Sequence, residues 1–158
     1  NFLKSAVVSY VKNSILQNVS KDGCYLEKAS RFNDDKDVVL ASVKQNGCAL
    51  QYASIALRSN IDIVHAAVRQ SANAVKFAAM SLLSDISFIL SLVEIKCEAL
   101  YSLPQSIKED IMNTPEKRGV LSERIMGCQG QSNSTIPLLL ASLYWDGYEQ
   151  IESKVQNL

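Results

Sequence analysis

Two neighbouring stretches of the chain, residues 37–54 and 62–79, carry nearly the same sequence. They are offset by about 25 residues, a period that is typical of stacked supersecondary units. Both stretches begin with an aspartate and end with small residues. A chain that repeats in this way is expected to build its core by packing each copy against the next one.

Within each copy the apolar residues recur at helical spacing, which predicts two short helices per unit. The shared positions are Val39, Val43, Leu50, Ala53 and Leu57 in one copy and Val64, Val68, Val75, Ala78 and Leu82 in the other. A partial earlier copy lies over 15–30, and a degenerate later copy lies over 85–103. We therefore expect about four units, with decayed outer ones.

The expected fold is all-α: a right-handed, solenoid-like stack of short helix pairs, about 25 residues per unit, closed by a long C-terminal helix. Residues 1–158 are expected to form a single domain, with the repeats over 15–103 and C-terminal helices and a cap over 104–158. Because Asn1 is not a methionine, we expect the chain to be part of a longer protein.

Outside the repeats, apolar stripes and helix-start signals predict four further helices. One helix opens the chain and one long helix closes it, covering apolar surface that the last repeat leaves bare. The predicted ranges are 2–19, 104–113, Thr114-Pro115 toward Met126, and 136–155.

Several residues are expected to mark helix ends. The polar segment Asn33-Asp34-Asp35 is predicted to cap the next helix through its carboxylates and amide. Lys44 and Arg69 are predicted to lie at the negative ends of the first helices of their units. Gly23 is predicted to end the opening helix in a left-handed conformation.

Charge and hydropathy exclude some classes of protein. The charges of sixteen basic and sixteen acidic side chains cancel. The composition therefore does not indicate the excess of basic residues that is typical of nucleic-acid-binding proteins. No apolar run approaches the roughly 18 residues that a membrane span requires. We expect no nucleic acid, no membrane span and a monomer.

The four cysteines, Cys24, Cys48, Cys97 and Cys128, are spaced too widely for a zinc knuckle, and only one histidine is present. Structural zinc is therefore not expected. Small buried thiols in a reducing compartment are favoured over a disulfide framework.

No catalytic motif is present. His65 is the sole histidine, and its counterpart in the preceding copy is Leu40, so a packed or surface histidine is favoured over a general base. Asp34, Asp35 and Asp37 are better explained as helix caps than as an acid/base pair or metal ligands. We expect a protein that is not an enzyme and that carries no cofactor and no metal.

The most regular copy carries a recognisable pattern. Its residues are Asp37, Val39, Leu40, Ala41, Val43, Lys44, Gln45, Asn46, Gly47, Ala49, Leu50, Tyr52, Ala53 and Ser54. The pattern resembles the short tandem helical repeat, catalogued as a domain of unknown function, in multidomain proteins of Legionella and other intracellular bacteria. The resemblance is close over 37–57, good over 62–83, partial over 15–30 and 88–103, and absent from residue 110.

The resemblance implies a virulence module of a bacterial effector protein that is secreted into the host cytoplasm, often beside a separate catalytic domain. It also implies, for some members, adenine-nucleotide binding with tyrosines stacking on the base. The chain departs from the pattern at Cys24 and Cys48, where the repeat usually has an aromatic residue after the glycine.

A nucleotide site needs an aromatic face for the base and cations for the phosphates. The candidate residues are the rings of Tyr25, Phe32 and Tyr52, with Arg31, Arg58 and Lys28 near the rim. For Tyr52 core packing is the competing interpretation, because it aligns with Phe77. Tyr25 aligns with alanines in the next two copies, so repeat packing explains it less well.

The segment 127–134 is rich in glycine and polar residues and precedes a predicted helix start. Its backbone amides are a candidate phosphate site, with a plain flexible connection as the alternative.

Two hypotheses follow. One is a non-catalytic module that binds an adenine nucleotide such as cyclic AMP or ADP. The other is a helical-repeat scaffold that binds a host protein through exposed side chains such as Arg58 and Lys76.

Overall fold

The computed structural model describes residues 2–127 of the chain and the side chains of residues 6–125. This part is mostly helical and contains no β-strand, which confirms the all-α prediction. The chain divides into two compact units, Asn1–Leu83 and Ser84–Leu158.

Eight α-helices lie in the described part: α1 (Phe2–Lys21), α2 (Lys36–Gln45), α3 (Ile55–Arg58), α4 (Ile61–Gln70), α5 (Met80–Leu83), α6 (Ile86–Lys96), α7 (Gln105–Asn113) and α8 (Pro115–Gly127). Between them, this part also contains the 3₁₀ helices Gly23–Glu27, Ser30–Phe32, Gly47–Tyr52, Ala72–Phe77 and Cys97–Ser102. The predictions for α1, α7 and α8 are confirmed to within two residues at each end.

Asp35, Asn60 and Asp85 occupy the N-caps of α2, α4 and α6. The side chain of each accepts hydrogen bonds from backbone N–H groups in the first turn, at 2.8 to 3.3 Å. The prediction that the segment 33–35 caps the next helix is confirmed, with Asp35 as the capping residue. Lys44 and Arg69 lie in the last turns of α2 and α4, as predicted, where a cation stabilises the negative end of the helix dipole.

The second half of the regular copy is helical, but mainly as a 3₁₀ helix. It is the 3₁₀ helix Gly47–Tyr52, followed by the single turn α3. Gly47, Leu50 and Ala53 are all buried and lie three residues apart, which matches the three residues per turn of a 3₁₀ helix. The next copy does the same at Ala72–Phe77. Each regular copy therefore pairs an α-helix with a 3₁₀ helix, a distinction that the sequence prediction of two short helices did not make.

The core of the first unit is built from apolar side chains between consecutive copies. α1 packs on α2, and α2 packs on α4; the 3₁₀ helices pack on one another in the same order. Burial of each large aliphatic side chain stabilises the fold by about 1.5–3 kcal/mol. Buried residues include Val19, Leu26, Val38, Val39, Val43, Leu50, Ile63, Val64, Val68 and Val75.

Gly23 does not adopt the left-handed conformation that the sequence predicts. Among the described residues no glycine has a positive φ. Gly23 starts a 3₁₀ helix, and a Cβ built on it would lie 2.6 Å from the carbonyl oxygen of Ser42 on α2. Gly47 has the same relation to Ala67 on α4, at 2.3 Å. Glycine is thus required because the backbone of the next helix approaches closely.

In the second unit, α6 and α7 both pack on α8. The apolar positions predicted for the degenerate copy, Ile89, Leu92, Val93, Ala99 and Leu100, are all buried. Ile107, Ile111, Leu121 and Ile125 are buried as well. Pro115 begins α8, as predicted, because its fixed φ suits the first turn of a helix.

Several predictions fall outside the described residues. They are the long helix over 136–155, all of the segment 127–134 beyond Gly127, and Cys128. Among the helices within the described range, none is both long enough and apolar enough to cross a bilayer, in agreement with the prediction.

Candidate functional site

Two glutamines tie consecutive copies of the repeat together. The Gln45 side chain accepts the Gly23 N–H at 2.8 Å and donates to the Lys21 carbonyl at 3.2 Å. The Gln70 side chain accepts the Gly47 N–H at 2.6 Å and donates to the Gln45 carbonyl at 3.3 Å. Each glutamine therefore belongs to one copy and bonds to the preceding copy. There its amide joins the end of the α-helix to the start of the 3₁₀ helix that follows.

A second tie runs through the backbone. The Ser54 N–H donates to the Asn33 carbonyl at 2.8 Å, and the Ala79 N–H donates to the Arg58 carbonyl at 3.0 Å. The Ser54 hydroxyl also donates to Asp34 at 2.6 Å. Both kinds of tie thus join the first copy to the second and, at equivalent positions, the second copy to the third.

The glutamine ties are what sequence analysis missed. Gln45 and Gln70 are identical residues at equivalent positions of the two regular copies, so the signal was present. The sequence interpretation assigned a role only to the preceding cations, Lys44 and Arg69. About 25 residues further on the chain has Ile95, which has no side-chain amide.

The second half of α1 runs parallel to α2 and in register with it. At one end, Gln45 of α2 bonds to Lys21 of α1. At the other end, the Lys12 ammonium lies 2.8 Å from the carboxylates of both Asp35 and Asp37. The two helices are therefore held side by side over their shared length.

The Lys12 cluster shifts the pKa of its members. The hydrogen bonds to Asp35 and then Asp37 raise the pKa of Lys12 above its ordinary value. Partial burial alone would raise the pKa of Asp35, but the bonds from Lys12 and from backbone N–H groups outweigh it and lower that pKa. Both groups are thus held in their charged forms.

Equivalent side chains on α2 and α4 form three rows across the surface. An acidic row lies at the amino ends of the helices, a mixed row at their middle and a basic row at their carboxyl ends. The rows are Asp37 with Asp62, Leu40 with His65, and Lys44 with Arg69. Because α2 and α4 pack together, the rows continue from one helix to the next.

Two adjoining hollows lie along the parallel helices. One, of ≈ 500 Å³, is lined by Ser20, Asp37, Leu40, Ala41, Lys44 and Gln45. The other, of ≈ 400 Å³, is lined by Leu16, Gln17, Ser20 and Lys21. They share Ser20, and together they are named the α1–α2 groove.

His65 lies half-buried in the middle row. Burial lowers its pKa below the ordinary value, and the charge of Arg69 lowers it further. The imidazole is therefore mostly neutral at neutral pH, as expected for a packed histidine.

The three candidate stacking residues lie on the 3₁₀ helices. Tyr25, Phe32 and Tyr52 are all half-buried. Burial raises the pKa of Tyr52, and so do the charge of Glu27 and a hydrogen bond to it. The hydroxyl of Tyr52 thus faces a carboxylate. The two hollows of the α1–α2 groove include none of these rings.

Two of the candidate rim cations, Arg31 and Arg58, differ in their surroundings. Arg31 is exposed at the end of a 3₁₀ helix. Arg58 is half-buried; its Nη1 donates to the Phe77 carbonyl at 3.5 Å, and its Nε is buried without a hydrogen-bond partner in the described part. The nucleotide site formed by these residues stays a prediction.

Cys24, Cys48 and Cys97 are half-buried and are not disulfide-bonded. The Asn46 side chain donates to Cys24 Sγ at 3.1 Å and accepts the Cys48 N–H at 3.0 Å. Asn46 therefore links the two cysteines of consecutive copies. Over the described range, no three histidine, cysteine, aspartate or glutamate side chains lie close enough together to hold a metal ion.

The first half of α1 carries a group of strongly exposed apolar side chains. α2 begins only at Lys36, opposite Lys12, so it covers the second half of the longer α1. Val7, Val8 and Tyr10 are 60%, 59% and 77% exposed. Contiguous exposed apolar surface of this kind is typical of interaction sites.

Residues 12–58 match a family model described as a domain of unknown function, DUF4116. The matched segment is less than half of the 158-residue chain and runs from the middle of α1 to the end of α3. Neither the curated proteins nor the solved structures include a match. The similarity covers the α1–α2 groove and the first glutamine tie, and it assigns no activity.

Proposed function

We propose that the chain is a non-catalytic helical-repeat scaffold that binds another protein. In this proposal the copies form a right-handed, solenoid-like stack with about 25 residues per unit. The observation that carries it is the recurrence of both ties: Gln45 and Gln70 through their side chains, and Ser54 and Ala79 through their backbone. Each tie fixes the position of one copy relative to the next.

Such ties matter for binding because they order the surface. A rigid scaffold loses little conformational entropy when a partner docks, so more of the contact energy appears as affinity. The rows that begin with Asp37, Leu40 and Lys44 are exposed or half-buried on tied helices. They present charge and apolar surface at fixed spacing, as the extended surfaces of repeat proteins do.

The adenine-nucleotide module has less support. Phosphate groups need cations or free N–H groups, whereas the charge near the Tyr52 hydroxyl is the carboxylate of Glu27, which helps to raise the pKa of Tyr52. Arg58 is engaged with the Phe77 carbonyl. The placement of this domain in a secreted bacterial effector, and its action in the host cytoplasm, remain expectations from the resemblance.

Capture of partners from host-cell lysate, with matched surface variants, tests the scaffold. The chain, a Leu40→Arg/Lys44→Glu variant of the row surface, and a Lys28→Glu/Arg31→Glu control on the 3₁₀ helices are immobilised in parallel. We expect at least one partner that the row variant loses and the control retains. Partners retained equally by all three proteins, or no partner at all, would overturn the proposal.

A further inference from the structure

The α1–α2 groove has an apolar floor. Leu16 of α1 and Leu40 and Ala41 of α2 line it, and all three are half-buried. A half-buried leucine on a protein surface gains further stabilisation when a partner removes the rest of it from water. The floor therefore favours apolar side chains of a partner.

The two ends of the groove differ in charge. At the amino end of α2, the exposed Asp37 is paired with Lys12, and on the next helix Asp62 lies 3.8 Å from Lys36. At the carboxyl end, Lys21 and Lys44 are exposed. Within residues 2–127, neither of these two ammonium groups forms an ion pair or a side-chain hydrogen bond.

The ion pairs at the amino end leave a net negative charge, because Lys12 is shared by Asp35 and Asp37. The carboxyl end carries the two unpaired cations. Asp22, which follows Lys21, directs its carboxylate to the Cys24 N–H at 2.9 Å. Gln45, between the two lysines, is uncharged and held by its bonds to Gly23 and Lys21. The carboxyl end therefore offers a net positive potential beside an apolar floor.

We propose that the α1–α2 groove binds an acidic amphipathic helix of a partner protein, and this inference rests on the proposed scaffold function. Leucine-like side chains on one face of that helix contact Leu16, Leu40 and Ala41. Carboxylates on its flank pair with Lys21 and Lys44. Helix-in-groove docking of this kind uses apolar anchors at helical spacing and reads the flanking charges.

The geometry suits a helix because the groove follows two parallel helices: Ser20 of α1 and residues of α2 line the larger hollow, and α1 alone lines the smaller one. The register of the two helices is fixed at both ends, by Lys12 with Asp37 and by Gln45 with Lys21. The hollows, of ≈ 400 Å³ and ≈ 500 Å³, are large enough for aliphatic side chains. The apolar floor also favours this partner over a simple polyanion, because a polyanion has no apolar side chains to bury against Leu40.

The test is fluorescence anisotropy with three labelled synthetic peptides of about 15 residues, the length at which isolated helices begin to form. The first carries leucines on one face and glutamates on the flanks. The second has lysines in place of the glutamates, and the third has serines in place of the leucines. We expect saturable binding of the first and binding about ten-fold weaker for the other two, the loss that corresponds to about 1.4 kcal/mol.

Matched variants locate the site. Lys21→Glu/Lys44→Glu should weaken binding of the first peptide about ten-fold. Lys28→Glu/Arg31→Glu, which makes the same charge change on the 3₁₀ helices, should leave it unchanged. Circular dichroism confirms that both variants remain helical. Equal weakening by the two variants, or equal binding of the glutamate and lysine peptides, would overturn the proposal.

Two further outcomes are decisive. Complete displacement of the peptide by inorganic polyphosphate at matched ionic strength, together with unchanged binding to Leu40→Ser, would reveal a general anion site and overturn it. Absence of binding by any peptide would also overturn it. If a captured partner still depends on Leu40 and Lys44 in that case, the scaffold function stands and only the partner chemistry proposed here fails.

Discussion

Gln70, the last residue of α4, accepts the N–H of Gly47 at 2.6 Å across a sequence separation of 23 residues. The same amide donates to the carbonyl of Gln45. The Gln70 side chain therefore supplies hydrogen-bond partners to two backbone groups of the preceding copy. One is at the end of α2, and the other is at the start of the 3₁₀ helix Gly47–Tyr52. Backbone groups at such junctions have no partner within their own helix.

Replacing Gln70 by leucine should destabilise the first unit by about 1–3 kcal/mol, because the partly buried Gly47 N–H and the Gln45 carbonyl lose their partner. Urea denaturation followed by circular dichroism measures the loss. Gln51→Leu is the control, since Gln51 is exposed and its side chain forms no hydrogen bond within the described range. Equal stability of the two variants would show that the tie contributes nothing.

Gly47→Ala should destabilise the protein by about 1–3 kcal/mol or more, the cost of overpacking. The new Cβ would lie 2.3 Å from the backbone oxygen of Ala67, which cannot rotate away as a side chain does. Gly119→Ala is a matched control in α8: beyond the local backbone of α8, no atom of the described residues lies within 4 Å of its added Cβ, and alanine in a helix stabilises by roughly 0.5–1 kcal/mol. Thermal unfolding should give shifts of opposite sign, and shifts of the same sign would contradict the close approach.

The positions of the helices could be predicted from the sequence because apolar spacing and polar caps are local signals. Val39 and Val43 follow the helical period, and Asp35 precedes it. The 3₁₀ geometry could not be predicted, because residues three apart, such as Gly47 and Leu50, also share one face of an α-helix.

The candidate site was harder to predict because it depends on which elements meet. The role of Gly23 follows from the Ser42 carbonyl of the next copy, and that approach is visible only once α2 has been placed beside it. The groove likewise forms where Lys21 and Lys44, from different copies, come to lie at the same end. Tyr25, Phe32 and Tyr52 are candidates because aromatic rings can stack on a base. That property does not show which residues surround each ring in the fold.

The adenine-nucleotide hypothesis predicts saturable heat in calorimetric titrations with cyclic AMP, ADP or ATP. If Tyr52 stacks on the base, Tyr52→Ala should abolish the heat and Tyr52→Phe should retain it, because phenylalanine keeps the ring. Tyr25→Ala should weaken binding as well, since loss of a stacking aromatic costs about 1–3 kcal/mol. Flat titrations with all three nucleotides would remove this hypothesis and leave the scaffold.

The Lys12 cluster gives the stability of the first unit a defined pH dependence. The folded pKa of Asp35 is lowered, so its contribution is present above the ordinary value of 3.8 and is lost as the pH falls through the lowered folded value. The folded pKa of Lys12 is raised, so its contribution is present below the ordinary value of 10.5 and is lost as the pH rises through the raised value. Stability should therefore decline at both extremes.

Asp35→Asn separates this charge effect from capping, because asparagine caps helices as well as aspartate does. The free energy of unfolding, measured by urea denaturation across the acid range, should fall less steeply with decreasing pH in this variant than in the unmodified chain. Glu123→Gln, an exposed position on α8, should keep the original slope. If Asp35→Asn also keeps it, the bond between Lys12 and Asp35 is fully screened by water and does not control the acid limb.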